Sequence, residues 1–281
     1  MNSRRFVTPG GMTIAADECG PPGRDAVMLL HGGGQTRHSW GAALASLERA
    51  GYHAVSLDLR GHGDSGWSPE GDYGLDAHLR DLRAVIDQLG GKPALVGASL
   101  GGLTSLLAVG ESEADRVGAL VLIDIVPNYE RNGTAEIVNF MSTRARGFAS
   151  IEEAADAVAA YLPSRKRPRD ISGLVKNLRL NGDGRYYWHW DPLIMDTRRN
   201  PQASIPRLEE AARRVTVPCL LIRGGLSRVV SADAAADFQR LVPHAEVVTV
   251  DQAGHMVAGD ANDGFNSPLL DFLDRTLGNP C

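Results

Sequence analysis

A serine stands at the centre of the pentapeptide Gly97–Gly101, which reads Gly-Ala-Ser-Leu-Gly. An apolar run, 93–96, precedes the pentapeptide, and a run with helical character, 102–108, follows it. Ser99 is therefore expected at a sharp turn from a buried strand into a helix, where the two glycines leave room for a strained serine backbone. This pattern predicts a nucleophile elbow that exposes the Ser99 hydroxyl, in preference to an ordinary turn between a strand and a helix.

A glycine loop, His31–Gly34, follows the short apolar run Ala26–Leu30. In acyl transfer the carbonyl oxygen gains negative charge, and one preorganised N–H donor lowers the barrier by about 3–4 kcal/mol. We predict an oxyanion hole formed by the backbone N–H groups of Gly33 and Leu100. A nucleotide-binding loop is the alternative for a glycine run after a strand, but the Gly-Lys-Ser/Thr sequence that binds phosphate does not occur here.

A histidine, His255, follows the strand-like segment Ala245–Val250 near the end of the sequence. It comes after the serine in chain order and lies in a loop after the last predicted strand, which is the position expected of a general base. Its imidazole would take the Ser99 proton during the attack and return it to the leaving group.

These motifs, together with the loop Gly61–Gly66 (Gly-His-Gly-Asp-Ser-Gly), give the chain a resemblance to the α/β-hydrolase superfamily over nearly its whole length. Within that superfamily it is most similar to small bacterial serine esterases and haloperoxidase-like enzymes with an inserted cap. The resemblance implies an α/β fold with a mostly parallel eight-stranded sheet and helices on both faces. It also implies that Gly61–Gly66 is structural and holds the neighbouring glycine loop.

The chain departs from the enzymes it resembles at one catalytic residue, the carboxylate that completes a triad with the serine and the histidine. Those enzymes carry the acid in a Gly-x-x-Asp loop after the strand that corresponds to 217–223, whereas this loop reads Gly225-Leu-Ser-Arg228. An arginine that faced the histidine would oppose catalysis, because two positive charges about 5 Å apart repel by about 3 kcal/mol at an effective dielectric of 20. Arg228 therefore cannot orient the histidine, and it is expected to pair with Asp124 or to point outward.

Other members of the superfamily place the acid after the strand that follows the elbow helix. Here that strand, 118–123, ends on Asp124. Asp124 is the acid we favour, and it would hold one nitrogen of His255 and stabilise the imidazolium. Three alternatives stay open: a purely structural Asp124, a serine–histidine pair without an acid, and Asp233.

The remaining elements agree with the implied fold. Two strands around a glycine turn begin the chain, and the pattern at 75–89 predicts a helix with one apolar stripe. Apolar runs typical of strands buried on both faces occur at 27–30, 53–57, 94–96, 119–123, 219–222 and 246–250.

Residues 127–206 contain no such strand pattern and are expected to form a helical cap, inserted into a core of 1–126 and 207–281. An insertion of about 80 residues exceeds any usual loop connection. Helices are predicted at 151–161 and 171–180. The aromatic run at 186–190 is expected to supply substrate contacts, or else to fix the cap to the core; the candidate substrate-binding residues are Tyr187, Trp188 and Trp190.

Composition excludes several other classes of function. The 281 residues carry a net charge of −5, which gives no field to attract nucleic acid or an anionic membrane. The cysteines Cys19, Cys219 and Cys281 have no paired spacing, which favours a reducing cytoplasm. No metal or cofactor is expected, since the histidines lack suitably spaced partner ligands. The sequence leaves the oligomeric state undetermined.

The sequence predicts a serine hydrolase that cleaves a small to medium carboxylic ester through an acyl-enzyme. Thioesterase, lactonase and perhydrolase variants are compatible, because each begins with the same acyl-enzyme. A serine in place of an aspartate at the elbow argues against dehalogenase or epoxide hydrolase chemistry. The alternative is a ligand-binding protein with weak or vestigial activity, which the missing loop aspartate would explain.

Overall fold

A central sheet and a small hairpin contain all the strands in the described part of the chain. The computed structural model describes residues 1–22, 25–112, 116–142, 146–161, 170–195, 201–255 and 263–278. The strands are β1 (Asn2–Val7), β2 (Thr13–Cys19), β3 (Val27–Leu30), β4 (Ala54–Leu57), β5 (Ala94–Ala98), β6 (Ala119–Ile123), β7 (Leu178–Leu180), β8 (Tyr186–Trp188), β9 (Cys219–Gly224) and β10 (Glu246–Val250).

The central sheet has eight strands in the order β1-β2-β4-β3-β5-β6-β9-β10. Strand β2 pairs antiparallel with both β1 and β4, and every other neighbouring pair is parallel. All residues of β3, β4, β5 and β6 are buried, as expected for continuous apolar runs with helices on both faces. The predicted mostly parallel, eight-stranded α/β sheet is thus confirmed.

Helices cover both faces of this sheet. The helices of the described residues are α1 (Gly41–Arg49), α2 (Leu75–Leu89), α3 (Leu100–Gly110), α4 (Arg131–Ser142), α5 (Ile151–Tyr161), α6 (Ile205–Arg213), α7 (Ala232–Leu241) and α8 (Asp263–Thr276), of which α5 packs in a separate small cluster with Phe148 and Leu178. On one face, a single buried cluster includes Leu82, Leu107, Leu208 and Phe238 from α2, α3, α6 and α7. On the other face, Leu44 of α1 and Phe272 of α8 belong to a second cluster. No helix within the described ranges is long and apolar enough to cross a membrane.

The segment 127–206 is less helical than its sequence predicts. The helix predicted at 151–161 is present as α5, but the one predicted at 171–180 is wrong. Residues Ser172–Asn177 form a 3₁₀ helix, and the next three residues form β7, which pairs antiparallel with β8. The reason is a turn closed by a hydrogen bond from Asn181 N–H to the Arg185 carbonyl, in which Gly184 has a φ of +76°. This turn brings the aromatic residues of β8 alongside 178–180.

The parallel strands direct six loops to one edge of the sheet. The loops after β3, β4, β5, β6, β9 and β10 all leave from the carboxyl ends of their strands. In open α/β sheets this edge is where ligands bind. The glycine loop, Ser99, Asp124, Gly225–Arg228 and His255 therefore share one side of the molecule.

A close helix contact on the sheet's first face can be tested by substitution. A Cβ added to Gly110, the last residue of α3, would overlap the backbone of Ala211 in α6. We expect Gly110→Ala to lower the free energy of unfolding by about 1–3 kcal/mol, because two helices must separate. Gly41→Ala is the matched control, since this helical glycine has nothing within 4 Å of the added methyl group. Denaturant unfolding that showed equal effects of both substitutions would contradict this packing.

Candidate active site

Ser99 occupies the turn between β5 and α3. Its backbone has φ 46° and ψ −115°, outside the regions that residues with side chains ordinarily adopt. Among the described residues, only Ser99 and Asp124 combine a side chain with positive φ. Such strain is found preferentially at functional sites, where the surrounding structure maintains it.

Two glycines make the turn possible. A Cβ on Gly97 would lie 2.5 Å from backbone atoms of Gly101 and Gly102. A Cβ on Gly101 would overlap the carbonyl of Leu30 in β3. The pentapeptide therefore has the strand–turn–helix geometry that its spacing predicts, and the glycines are required by close backbone contacts on both sides of Ser99.

Asp124 lies next to Ser99 across the sheet. Ala98 of β5 pairs with Ile123 of β6, and the next residue along each strand is Ser99 and Asp124, respectively. Neighbouring strands are about 4.8 Å apart, so the two residues leave the sheet side by side. Asp124 is fully buried and has a φ of 49°.

His255 reaches the same point from the other end of the sequence. Its Nδ1 lies 2.7 Å from Oδ2 of Asp124. The carboxylate accepts the Nδ1 proton, which leaves Nε2 as the nitrogen that can accept a proton from a hydroxyl. The preceding loop is held by a hydrogen bond from Leu226 N–H to the Ala253 carbonyl and by the close approach of Gly254 to Gly224.

The Asp124 carboxylate has two further donors, one from the last residue of β9 and one from the loop that follows it. The N–H of Gly224 donates to Oδ1 at 2.9 Å, and the hydroxyl of Ser227 donates to Oδ2 at 2.5 Å. Sequence reasoning missed Ser227, although it lies beside position 228, where the acid was first sought. Arg228 points outward and forms an ion pair with Glu136 of α4 at 2.8 Å.

The backbone N–H groups of the glycine loop differ in whether they have a hydrogen-bond acceptor. The N–H of Gly32 donates to Gln35 Oε1 and that of Gly34 to His62 Nε2, both at 3.0 Å. The N–H of Gly33 has no acceptor within the described residues. Leu100 is the first residue of α3, and the first N–H groups of a helix have no intrahelical acceptor. The two N–H groups predicted to form the oxyanion hole are thus not used in holding the loop.

Two buried histidines hold this loop in place. His31 donates from Nδ1 to the Gly32 carbonyl at 2.7 Å and accepts from the Leu59 N–H at Nε2. His62 bonds the Arg60 carbonyl at 3.0 Å through Nδ1. Burial lowers the pKa of His31 to about 4 and that of His62 to about 3, so both rings are neutral at pH 7. These contacts agree with the interpretation that 61–66 is structural.

The three aromatic candidates in 127–206 have different surroundings. Trp190 is buried and pairs through its backbone with His62 in the 61–66 loop. The Tyr187 hydroxyl donates to Asp183 within the β7–β8 turn. Trp188 packs edge-on against Phe148, with ring centres 5.2 Å apart, and its buried Nε1–H has no acceptor within the described residues. Trp190 therefore connects 127–206 to the core. This is the second of the two roles considered for the aromatic run, the first being contact with substrate.

The described residues include no group of three or more histidine, cysteine, aspartate or glutamate side chains that could hold a metal ion. Cys19 and Cys219 are free thiols in the two buried clusters. Burial raises the pKa of Cys219 to about 12, so this thiol is unreactive at neutral pH. Cys281 lies outside the described residues.

Comparison with known proteins decides the family. A family model described as the alpha/beta hydrolase fold matches residues 25–261. The chain belongs to this family. An esterase of Mycobacterium tuberculosis is 30% identical over 245 residues, which cover 83% of this chain and 78% of the relative.

A second relative and one solved structure are also named as hydrolases. The 2-(acetamidomethylene)succinate hydrolase of Mesorhizobium japonicum is 31% identical over 79% of each chain. A crystal structure of E-2-(acetamidomethylene)succinate hydrolase superposes with a TM-score of 0.84 at 27% identity and covers 97% of this chain and 99% of that one. The prediction that the protein is a hydrolase is confirmed.

The neutral histidines make a testable contribution to pH-dependent stability. Their folded pKa values lie below the unfolded value of about 6.5, so the stability they provide is present above that pH and is lost as the pH falls toward 4 and then 3. Between pH 7 and pH 5 each should account for a loss on the order of 2 kcal/mol in the free energy of unfolding.

Denaturant titrations at both pH values would measure this loss. His62→Gln retains an acceptor for the Gly34 N–H but does not titrate, so it should show a smaller drop between pH 7 and pH 5 than the unsubstituted protein. His244→Gln is the control, since His244 is exposed and bonds only the Val217 carbonyl among the described residues. The same drop in all three proteins would show that His62 is not kept neutral by burial.

Proposed function

We propose that this α/β hydrolase is a serine hydrolase that cleaves a small to medium carboxylic ester. Ser99 is the nucleophile, His255 the general base and Asp124 the acid that orients it. The N–H groups of Gly33 and Leu100 form the oxyanion hole. The observation that carries the proposal is the 2.7 Å hydrogen bond from His255 Nδ1 to Asp124.

The reaction follows from the roles of these groups. As Ser99 Oγ attacks the ester carbonyl, its proton moves to His255 Nε2, and the oxygen of the tetrahedral intermediate gains a negative charge. The two N–H groups stabilise that charge. Collapse of the intermediate expels the alcohol, which takes the proton from His255 and leaves an acyl-enzyme on Ser99. Water then attacks with its proton passing to His255, and collapse of the second intermediate returns that proton to Ser99 Oγ and releases the carboxylic acid.

The environment of Asp124 favours an active enzyme over a ligand-binding protein without turnover. The vestigial alternative was motivated by the arginine at position 228, where similar enzymes carry the acid. Asp124 is fully buried, and its carboxylate accepts from Gly224, Ser227 and His255. A carboxylate in this setting stabilises the imidazolium, so the arginine does not imply the loss of the acid.

The segment 127–206 is proposed to be the cap that covers Ser99. Three hydrogen bonds support this placement, because they join the segment to loops at the carboxyl edge of the sheet. Thr36 donates to the Asn177 side chain, the Gly63 N–H to the His189 carbonyl, and the Asp191 N–H to the Gly61 carbonyl. Met141 of α4 also packs against Gly34 of the glycine loop.

The cap carries rings suited to an apolar acyl or alcohol group. Phe140 stacks on Tyr161 with ring centres 4.2 Å apart, and Trp188 lies between Phe140 and Phe148. Planar rings offer a large apolar area with a few polar edges, which is typical of small-molecule sites. Trp188 is the candidate we favour for a substrate contact. Tyr187 and Trp190 are proposed to hold the strand that carries it in place. The relative named as an esterase favours an ester substrate.

Labelling by a fluorophosphonate tests the nucleophile and its base. The Ser99 oxygen should displace fluoride and form a stable phosphonyl adduct, which mass spectrometry locates on the peptide. Ser99→Ala should abolish labelling, and His255→Ala should slow it by several orders of magnitude, because the hydroxyl loses its base. A folded protein that does not react with the probe would favour the ligand-binding alternative.

A pair of aspartate variants tests the acid. Asp124→Asn should lower kcat for a p-nitrophenyl ester by about 10⁴, because the amide holds the wrong tautomer of His255. Asp233→Asn is the matched control, since Asp233 is exposed on α7 and was the remote candidate. Near-normal turnover by Asp124→Asn would exclude Asp124 as the acid.

Oxygen esters, thioesters and lactones of graded length, assayed side by side, would identify the preferred substrate.

A further inference from the structure

The hydroxyl of Ser227 has one possible direction for its proton. Its oxygen accepts hydrogen bonds from the N–H groups of Val229 at 3.0 Å and Val230 at 3.1 Å. A serine hydroxyl has two acceptor lone pairs and one proton. Both lone pairs are occupied, so the proton is directed at the third neighbour, Oδ2 of Asp124, at 2.5 Å.

The carboxylate oxygen that accepts this proton is the one that holds His255. Oδ2 accepts from Ser227 on one side and from His255 Nδ1 on the other, while Oδ1 accepts from the Gly224 N–H. Asp124 is fully buried, so no bulk water can replace a lost donor. The rotation of the carboxylate, and with it the direction in which the imidazole is held, therefore depends on Ser227.

The loop that carries Ser227 is itself held rigidly. The Glu130 N–H donates to the Val229 carbonyl, and Glu136 of α4 forms the ion pair with Arg228. A Cβ on Gly133 of α4 would overlap the Arg228 carbonyl, so this helix packs directly on the loop. These contacts fix the backbone on either side of Ser227.

We propose that Ser227 is a positioning residue for the reaction, a role that rests on the proposed function of Ser99, His255 and Asp124. Ser227 locks the Asp124 carboxylate in the orientation that directs Oδ2 at His255 Nδ1. It also shares the negative charge of Oδ2, which moderates the hold of Asp124 on the imidazolium. Asp124 is the charged group in hydrogen-bond contact with His255 among the described residues, and Arg228 is turned away toward Glu136.

Steady-state kinetics of Ser227→Ala test this role. The substitution should lower kcat by about 10–100-fold with little change in KM, because the base is misplaced while the substrate site is untouched. The acidic limb of the kcat/KM profile should move to higher pH, because a carboxylate relieved of one donor holds the protonated imidazole more strongly. Ser227→Thr keeps the hydroxyl and should restore most of the rate, and Ser227→Cys, a weaker donor of similar shape, should lie between the two.

Ser231→Ala is the matched control. This serine lies four positions away, accepts from the Ala234 N–H as the cap of α7 and donates to Glu130, and the hydrogen bonds to the Asp124 side chain in the described structure come from other residues. Its loss should reduce stability and leave kcat and the pH profile unchanged. Equal losses of kcat in Ser227→Ala and Ser231→Ala, or no recovery in Ser227→Thr, would overturn the proposal in favour of a general stability effect.

A second measurement separates this proposal from the proposed function. The ring protons of His255, followed by NMR as the pH is varied, report its titration whether or not the protein turns over an ester. A midpoint that moves to higher pH in Ser227→Ala supports the role of Ser227 even if no substrate is cleaved. A midpoint that does not move, in a folded variant, would overturn it even if Ser99 proves to be the nucleophile.

Discussion

The buried negative charge of Asp124 is the constraint on which the active-site edge of this protein depends. A carboxylate removed from water is costly unless donors surround it. Here the donors come from the end of β9, from the loop that follows it and from His255. Satisfying one charge thus brings two segments that are distant from β6 in sequence, 224–227 and His255, to the end of β6, next to the elbow after β5.

The glycine loop is also held by hydrogen bonds to buried side chains, but these side chains are neutral. His31 and His62 remain uncharged because they are fully buried, and each ring nitrogen is committed to a backbone group of the adjoining loops. These bonds occupy the N–H of Gly34, while Gln35 occupies that of Gly32. The N–H of Gly33, between them, has no acceptor among the described residues, as the proposed oxyanion hole requires. The selection of one donor from three neighbouring glycines is made by side chains around the loop.

The sequence predicts the sheet and the elbow well because both depend on local signals. Continuous apolar runs mark β3 to β6, and the glycines beside Ser99 are required by contacts within a few residues of the turn. The β7–β8 hairpin was missed because three-residue strands are too short to show a period, although Gly184 signals its turn. The choice of Asp124 stayed open because its partner, His255, lies 131 positions away. Ser227 was missed for the same reason, since the positioning role proposed for it depends on the arrangement of β6 and β9.

The positive φ angles of Ser99 and Asp124 restrict which amino acids these two positions can hold. Branching at Cβ is poorly tolerated in such a backbone, so threonine is penalised at the elbow before its reactivity matters. Aspartate and asparagine adopt positive φ more readily than longer side chains, which favours aspartate over glutamate at the end of β6. At both positions the backbone conformation limits which amino acids can be accommodated, and chemical reactivity can distinguish only among those.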